Sequence, residues 1–419
     1  MKLCRREFLR SISLGLPAAS AAHMINFPQF ASGEGSTMSP LEHVRTGLDL
    51  QVEQGFALLR GKRVGIITNH SGQTRDRQRN VDAIHKSGTA ELAAIFTPEH
   101  GLTGLRDDPN IGSSIDGATG VPVRSLFDGP TRRMAPEMLK GLDALVYDIQ
   151  DVGARFYTFI TTLGYGLEGA AQARIPYYVF DRPNPITGIA VEGPVLDDMH
   201  ISFVGYSRIP IRHGMTVGEL ARFYNGEKNL GADLHVVSMQ GWKRRMWFDD
   251  TGLEWINPSP AIRNLTEAIL YPGTCLLESR QVSVGRGTDT PFEIIGAPWF
   301  RACEAADYLN SIHMPGVSFI PRRFRPTAYL FKDQDCEGID IQVIDRNVLD
   351  SVRVGLELLH ITLKLHAGRF DLDGIMRLLG NDDAKQRLAR GDTGSAVNES
   401  FRSSLADFHA LREKYLIYP

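Results

Sequence analysis

Residues Glu91–Gly104 read ELAAIFTPEHGLTG. The apolar run Leu92–Phe96 has the length and continuity of a buried strand, and Pro98 stops it. A strand without polar alternation is covered on both faces, which is the condition of a parallel sheet held between helical layers. In open α/β sheets, ligands bind beyond the carboxyl ends of the strands. What this strand delivers there is Glu99 and His100, with Gly101 and Gly104 to turn the chain away. The stretch therefore sets two expectations together: an α/β fold, and a carboxylate at its functional edge.

Outward from this stretch the pattern repeats. RVGIIT (Arg63–Thr68), ALVYDI (Ala144–Ile149), YYVFD (Tyr177–Asp181) and LHVVSM (Leu234–Met239) are further short apolar runs. Helical patterns lie around them: LEHVRTGLDLQVEQGFALLRGK before the first, then TFITTLGYGLEGAAQARI and TVGELARFYNGE. Alternating strand and helix predicts a Rossmann-like, mostly parallel domain over 41–265. Beyond it, EGIDIQVID (Glu337–Asp345) alternates and SVRVGLELLHITLKLHAG has helical spacing. A smaller α+β domain over 266–419, closing the cleft, is expected, with a linker near NPSPAIRNLTEAILYPG.

Each predicted strand ends in polar residues. Asn69 and His70 follow the first, Glu99 and His100 the second, and Asp148, Gln150 and Asp151 the third, with Arg155 and Tyr157 close behind. Asp181, Arg182 and Asn184 follow the fourth. Parallel strands place all these ends along one edge, where a single polar cleft is expected. Two later segments add to it: WINPSPAIRN, with Asn257, Ser259 and Arg263, and LLESRQVSVGRGTDTPFE, with Glu278 and Arg286. The Gly285-Arg286-Gly287-Thr288 turn could cradle an anion through backbone N–H groups and the guanidinium.

The motifs of other chemistries are missing. NHSGQTRD follows the first strand in place of a Gly-x-Gly-x-x-Gly turn, and there is no Gly-x-Ser-x-Gly, no His-Glu-x-x-His and no paired-cysteine motif. No metal and no organic cofactor is expected. Carboxylates with Asn, Arg and Tyr suit a sugar, with Trp242, Trp247 or Trp299 as rings able to stack on a pyranose.

Composition, with 42% hydrophobic and 23% charged residues over 419, is that of a globular protein of two domains. The first residues differ. CRREFLRSISLGLPAASAA pairs Arg5 with Arg6 ahead of a modest apolar run and small residues, which predicts a twin-arginine signal peptide over 1–21 and a leader over 22–40. An exported, periplasmic or extracytoplasmic protein follows, with no stable membrane insertion once the signal is removed. Loss of Lys2, Arg5, Arg6, Arg10 and Glu7 moves the net charge from −3 to −6, which disfavours nucleic acid as a partner. Cys4 leaves with the signal, and Cys275, Cys303 and Cys336 show neither a disulfide framework nor zinc spacing.

Taken together, GIITNHSG, FTPEHGLTG, YDIQDVGARFYTF, FDRPNPITG, VEGPVL, INPSP, RNLTEAILYPGTCLLES and SVGRGTDTPFEIIGAPW resemble the NamZ-type exo-β-N-acetylmuramidases, over roughly residues 45 to 419. The resemblance implies release of N-acetylmuramic acid from the non-reducing end of peptidoglycan-derived saccharides. It makes Glu99 the leading catalytic residue, with His100 and the segment from Asp148 to Tyr157 lining the same site. Asp148, Asp151, Glu168, Glu192 and Glu278 compete for the role of second carboxylate, Glu168 from within a helical pattern, while Arg155, Arg182, Arg263 and Arg286 compete to pair the lactyl carboxylate of muramic acid. The alternative is a non-catalytic protein that binds muropeptides or sugars in the same cleft.

Overall fold

The computed structural model describes residues 43–104, 112–127 and 132–419. The expected signal and leader segments, and residues 41 and 42 of the expected first domain, lie outside the described residues. The chain forms a seven-stranded sheet from β1 (Arg63–Thr68), β2 (Glu91–Thr97), β3 (Ser114–Ile115), β4 (Pro122–Ser125), β5 (Ala144–Asp148), β6 (Tyr177–Phe180) and β9 (Leu234–Val237). A two-stranded ribbon, β7 (Glu192–Val195) with β8 (Pro210–Arg212), precedes β9 in sequence. The sheet order is β3-β4-β2-β1-β5-β6-β9, and every pairing is parallel except β3 with β4.

Without the β3 hairpin arm, the six parallel strands have the Rossmann order 3-2-1-4-5-6. The chain leaves β1 toward β2 on one side and later returns to β5 on the other, so the topological switch lies at β1. Continuous burial of β1 after Arg63, of β5 and of β6 is what their apolar runs predict. The strand β4 is a finding the sequence pattern did not anticipate. Its four residues, Pro-Val-Arg-Ser, are too short and too mixed to stand out, yet Val123 pairs with Ile95 and is buried. Two other expectations are corrected. The long helical stretch before β1 is an α-helix only over Gly47–Glu53, followed by a 3-10 turn at Ala57–Leu59, because Gly55 and Phe56 both adopt left-handed φ (58° and 53°). LHVVSM forms an edge strand of intermediate burial rather than a buried one.

Past residue 266 a three-stranded antiparallel sheet forms, β10 (Ile294–Ala297), β12 (Cys336–Val343) and β11 (Val317–Phe324), with β12 in the middle. The segment read as a linker holds the buried helix Leu265–Thr274, which packs on the helix Ser351–Leu365. The two approach glycine to glycine: a methyl added at Gly355 would overlap the backbone of Gly273, which cannot move aside. Gly355→Ala is therefore expected to destabilise the fold by about 3 kcal/mol or more, read as a lowered urea midpoint, and an unchanged midpoint would show the helices free to separate. One hydrophobic cluster, including Tyr147, Phe159, Tyr271, Phe292, Ile339 and Leu359, runs from the seven-stranded sheet into this C-terminal part.

Candidate active site

The polar residues at the strand ends divide into two groups. Those after β1, β5 and β6 mostly bond to one another. Asp148 is fully buried; its carboxylate accepts from Arg182 Nε at 2.6 Å, Arg182 Nη2 at 3.0 Å and Asn80 Nδ2 at 2.7 Å. Asp181 accepts from the backbone N–H of Arg182 and Gly218, from Thr216 and from the Tyr418 hydroxyl, and burial pushes its pKa up to about 7. Asn69 accepts from Ser71, Gln150 donates to the carbonyls of Asp151 and Pro183, and Asn184 donates to Met215 O. These bonds tie together the strand-end crevice in which related sheets hold a ligand, leaving a small cleft that Ser71, Gln150 and Arg182 line. Asp148, Asp181 and Asn184 thereby hold the strand ends together, while Gln150 and Arg182 also border that cleft.

Two further candidates are architectural for similar reasons. Arg155 is 0% exposed and donates to the carbonyls of Pro194, Ile209, Leu378 and Leu379, clamping distant segments, and burial lowers its pKa to about 9. Glu192 pairs with Arg212 and accepts from the Ser351 and Val352 N–H groups at the start of the helix Ser351–Leu365. Asp151 is buried, accepting from Gly153 N at 2.7 Å with His213 Nε2 at 3.6 Å. It does not line the cavity, but its charge acts on Tyr157, which does.

The second group surrounds a cavity of about 390 Å³. Glu99 and His100 enter it from the end of β2, Tyr157 and Thr158 from the loop after β5, and Ser259, Glu278 and Arg286 from the later segments. Pro98 to Gly101 forms a turn closed by Gly101 N–H donating to Pro98 O at 3.1 Å, with His100 at φ 71°. A left-handed histidine costs backbone energy, and such strain concentrates at functional positions. The turn aims Glu99 into the cavity, where Thr158 Oγ donates to its Oε2 at 2.7 Å. Glu99 and Glu278 are the two carboxylates among the described residues lining this space.

Glu278 is set by Arg286, whose Nε donates to Oε1 at 2.6 Å. Arg286 sits in the turn expected from Gly-Arg-Gly-Thr; Gly285 and Gly287 have φ of 79° and 83°, and Thr288 N–H closes the turn on Gly285 O at 3.0 Å. Of the four arginines considered for a substrate carboxylate, Arg286 alone lines the cavity. Arg263 bonds Glu267 and the Asp289 carbonyl outside it. Burial raises the Tyr157 pKa well above that of a free phenol, so this ring faces the site as a neutral hydroxyl beside Ser259. His70 stands one shell away: Nε2 donates to Asn257 O at 2.6 Å, burial lowers its pKa, and its ring fills the place a side chain at Gly104 would need. Asn257 thus contributes its carbonyl, while the residue itself is exposed.

The sequence reading missed Thr158, Tyr271, Phe292 and Tyr329, which line the cavity. Thr158 could have been found, since it adjoins Tyr157 in the quoted segment. The aromatic walls could not, because they come from a helix and loops in the second half. None of the three tryptophans lines the cavity: Trp242 packs on Tyr418, Trp247 donates to Asn347, and Trp299 packs on His366. A larger cavity of about 620 Å³ beside Asp197, Asp198, Phe223 and Phe408 shares no lining residue with this one. Asp197, His200 and Asp382 bring possible metal ligands within 4.8 Å of one another. They already bond among themselves at the N-terminus of the helix Asp382–Ala389, where the dipole opposes a cation.

A cavity in which two glutamates, an arginine and a neutral phenol converge, bounded by aromatic rings, can hold a sugar, protonate its glycosidic oxygen and act at its anomeric carbon. The relatives agree. Residues 64–266 match the family model described as exo-beta-N-acetylmuramidase NamZ, N-terminal, and residues 269–418 match its C-terminal counterpart. The chain is 41% identical over 379 residues to the peptidoglycan beta-N-acetylmuramidase NamZ of Bacillus subtilis, covering 90% of this chain and 91% of that protein. Two crystal structures of DUF1343 family proteins from Bacteroides fragilis are similar, at 37% identity with a TM-score of 0.84 and at 30% with 0.73. Each covers 90% of this chain and 99% of the other. With both halves matched in order and the strand-end glutamate placed in the cavity, the chain belongs to the NamZ family of exo-β-N-acetylmuramidases.

Proposed function

We propose that this chain is an exo-acting glycoside hydrolase that releases N-acetylmuramic acid from the non-reducing end of peptidoglycan fragments, with Glu99 as the catalytic acid. The observation that carries the reading is the placement of Glu99, oriented by Thr158, in one cavity with the Glu278–Arg286 pair. Two carboxyl groups flanking one sugar are what glycoside hydrolysis needs. Arg286 is the group suited to the lactyl carboxylate that distinguishes muramic acid from glucosamine. The test is incubation with the disaccharide of β-linked N-acetylmuramic acid on N-acetylglucosamine. Free N-acetylmuramic acid is the expected product; saturable binding without release would make the chain a sugar-binding protein.

Export is a separate reading. Arg5 and Arg6 ahead of the apolar run support a twin-arginine signal and a periplasmic or extracytoplasmic enzyme. Replacing both with Lys is expected to hold the protein in the cytoplasm, as measured by fractionation. Unchanged export would point to the general secretory route.

A further inference from the structure

Beside the catalytic cavity lies a second one, of about 460 Å³. Arg286 and Tyr329 line both, so the two adjoin across these side chains. Among the described residues, five arginines line the second cavity, Arg263, Arg286, Arg322, Arg323 and Arg325, against one carboxylate, Asp289. This concentration stands out in a chain whose formal charge is −3. We propose that the arginine-lined cavity is a subsite for a carboxylate carried on the leaving-group side of the saccharide.

The arginines are held from outside the cavity. Arg322 pairs with Asp340 at 2.8 Å, Arg323 with Glu337 at 3.1 Å and Arg325 with Asp335 at 2.7 Å, while Arg263 pairs with Glu267. None of these four acids lines the cavity. A guanidinium has five N–H donors, and a carboxylate on one edge occupies two, which leaves donors for a ligand while fixing the plane. The walls are fixed as well. Thr327 donates to the Gly287 carbonyl from its backbone N–H at 2.8 Å and from its hydroxyl at 2.9 Å, joining the loop after β11 to the Arg286 turn. Tyr329 is half exposed at the boundary, its ring centroid 5.8 Å from the Arg286 guanidinium carbon.

The ligand class follows from the chemistry of the polymer. This step rests on the glycosidase reading above. Peptidoglycan alternates neutral N-acetylglucosamine with N-acetylmuramic acid. With a non-reducing muramic acid in the catalytic cavity, the first leaving sugar is neutral and the second carries the next carboxylate. That carboxylate is the free lactyl group or the end of a peptide attached to it; both present the same anion to the arginines.

The experiment compares kcat/KM for the disaccharide, for the trisaccharide ending in a second N-acetylmuramic acid, for that trisaccharide with the second lactyl group as methyl amide, and for one with a peptide on it. Charge-assisted hydrogen bonds predict an advantage of about ten- to a hundredfold for the trisaccharide over the disaccharide. The amide is expected to lose it; a peptide that restores it identifies the peptide carboxylate as the natural anion. The combined Arg322→Gln, Arg323→Gln, Arg325→Gln variant should erase the advantage and leave disaccharide turnover unchanged, with Lys at the three positions restoring part of it. Arg323→Gln alone, at a side chain 80% exposed, guards against a folding defect in the combination. A trisaccharide no better than the disaccharide, or an advantage that survives in the combined variant, overturns the proposal. Titration of the product, N-acetylglucosamine on N-acetylmuramic acid, by calorimetry decides the subsite apart from turnover: its affinity should fall at least about tenfold in the combined variant, and equal affinities overturn the subsite. If wild type binds this product but cuts neither saccharide, the glycosidase reading fails and the subsite stands.

Discussion

Glu99→Gln is expected to lower kcat on the natural disaccharide by about 10²–10⁴-fold while the protein stays folded. Gln keeps the shape of the side chain and can still accept the hydrogen bond that Thr158 donates to Oε2 at 2.7 Å. What it lacks is a proton to give to the leaving oxygen. The loss should therefore shrink on a substrate with an activated aryl leaving group, which departs with little protonation. Rates on both substrates, with a thermal melt to exclude misfolding, check this. Near-normal turnover of the disaccharide by the Gln variant would return Pro98–Gly101 to an ordinary turn, and an equal loss on both substrates would assign Glu99 a role other than acid.

Much of this arrangement was legible in the sequence because it depends on local pattern. The runs Leu92–Phe96, Ala144–Ile149 and Tyr177–Asp181, short and bounded by turn residues, read as strands covered on both faces, and parallel strands carry their polar successors to one edge. What local pattern does not contain is which polar residues find each other there. Asp148 and Arg182 are 34 residues apart and neutralise one another at 2.6 Å, and Glu192 is consumed by Arg212 and a helix start 159 residues later. Arg155 is fixed by carbonyls more than 220 residues on. A buried charge needs a partner, so strand-end residues with close complementary partners become architecture. Glu99, bonded by the neutral Thr158 hydroxyl, is left facing the cavity. Glu278 and Arg286 were readable as neighbours because only eight positions separate them.

Glu278→Gln is expected to cost as much as the loss of Glu99 but with a different signature. Glu278 is the other carboxylate among the described residues lining the cavity, and its Oε1 is fixed by Arg286 Nε at 2.6 Å. A carboxylate held in an ion pair is suited to stabilise positive charge at the anomeric carbon, to attack it, or to activate water, and none of these depends on the leaving group. A fall in kcat of about 10²–10⁴-fold that is the same on disaccharide and aryl glycoside is the expected outcome. Arg286→Ala separates this role from recognition. It removes the guanidinium proposed to pair the lactyl carboxylate, so KM for muramic acid substrates should rise more than for the matching glucosamine substrates, while it also releases Glu278 from its fixed position. If Glu278→Gln raised KM as Arg286→Ala does and left kcat intact, Glu278 would be a positioning residue for the arginine. The part of the second carboxylate would then be open to the substrate's own N-acetyl oxygen, an amide carbonyl able to attack the anomeric carbon.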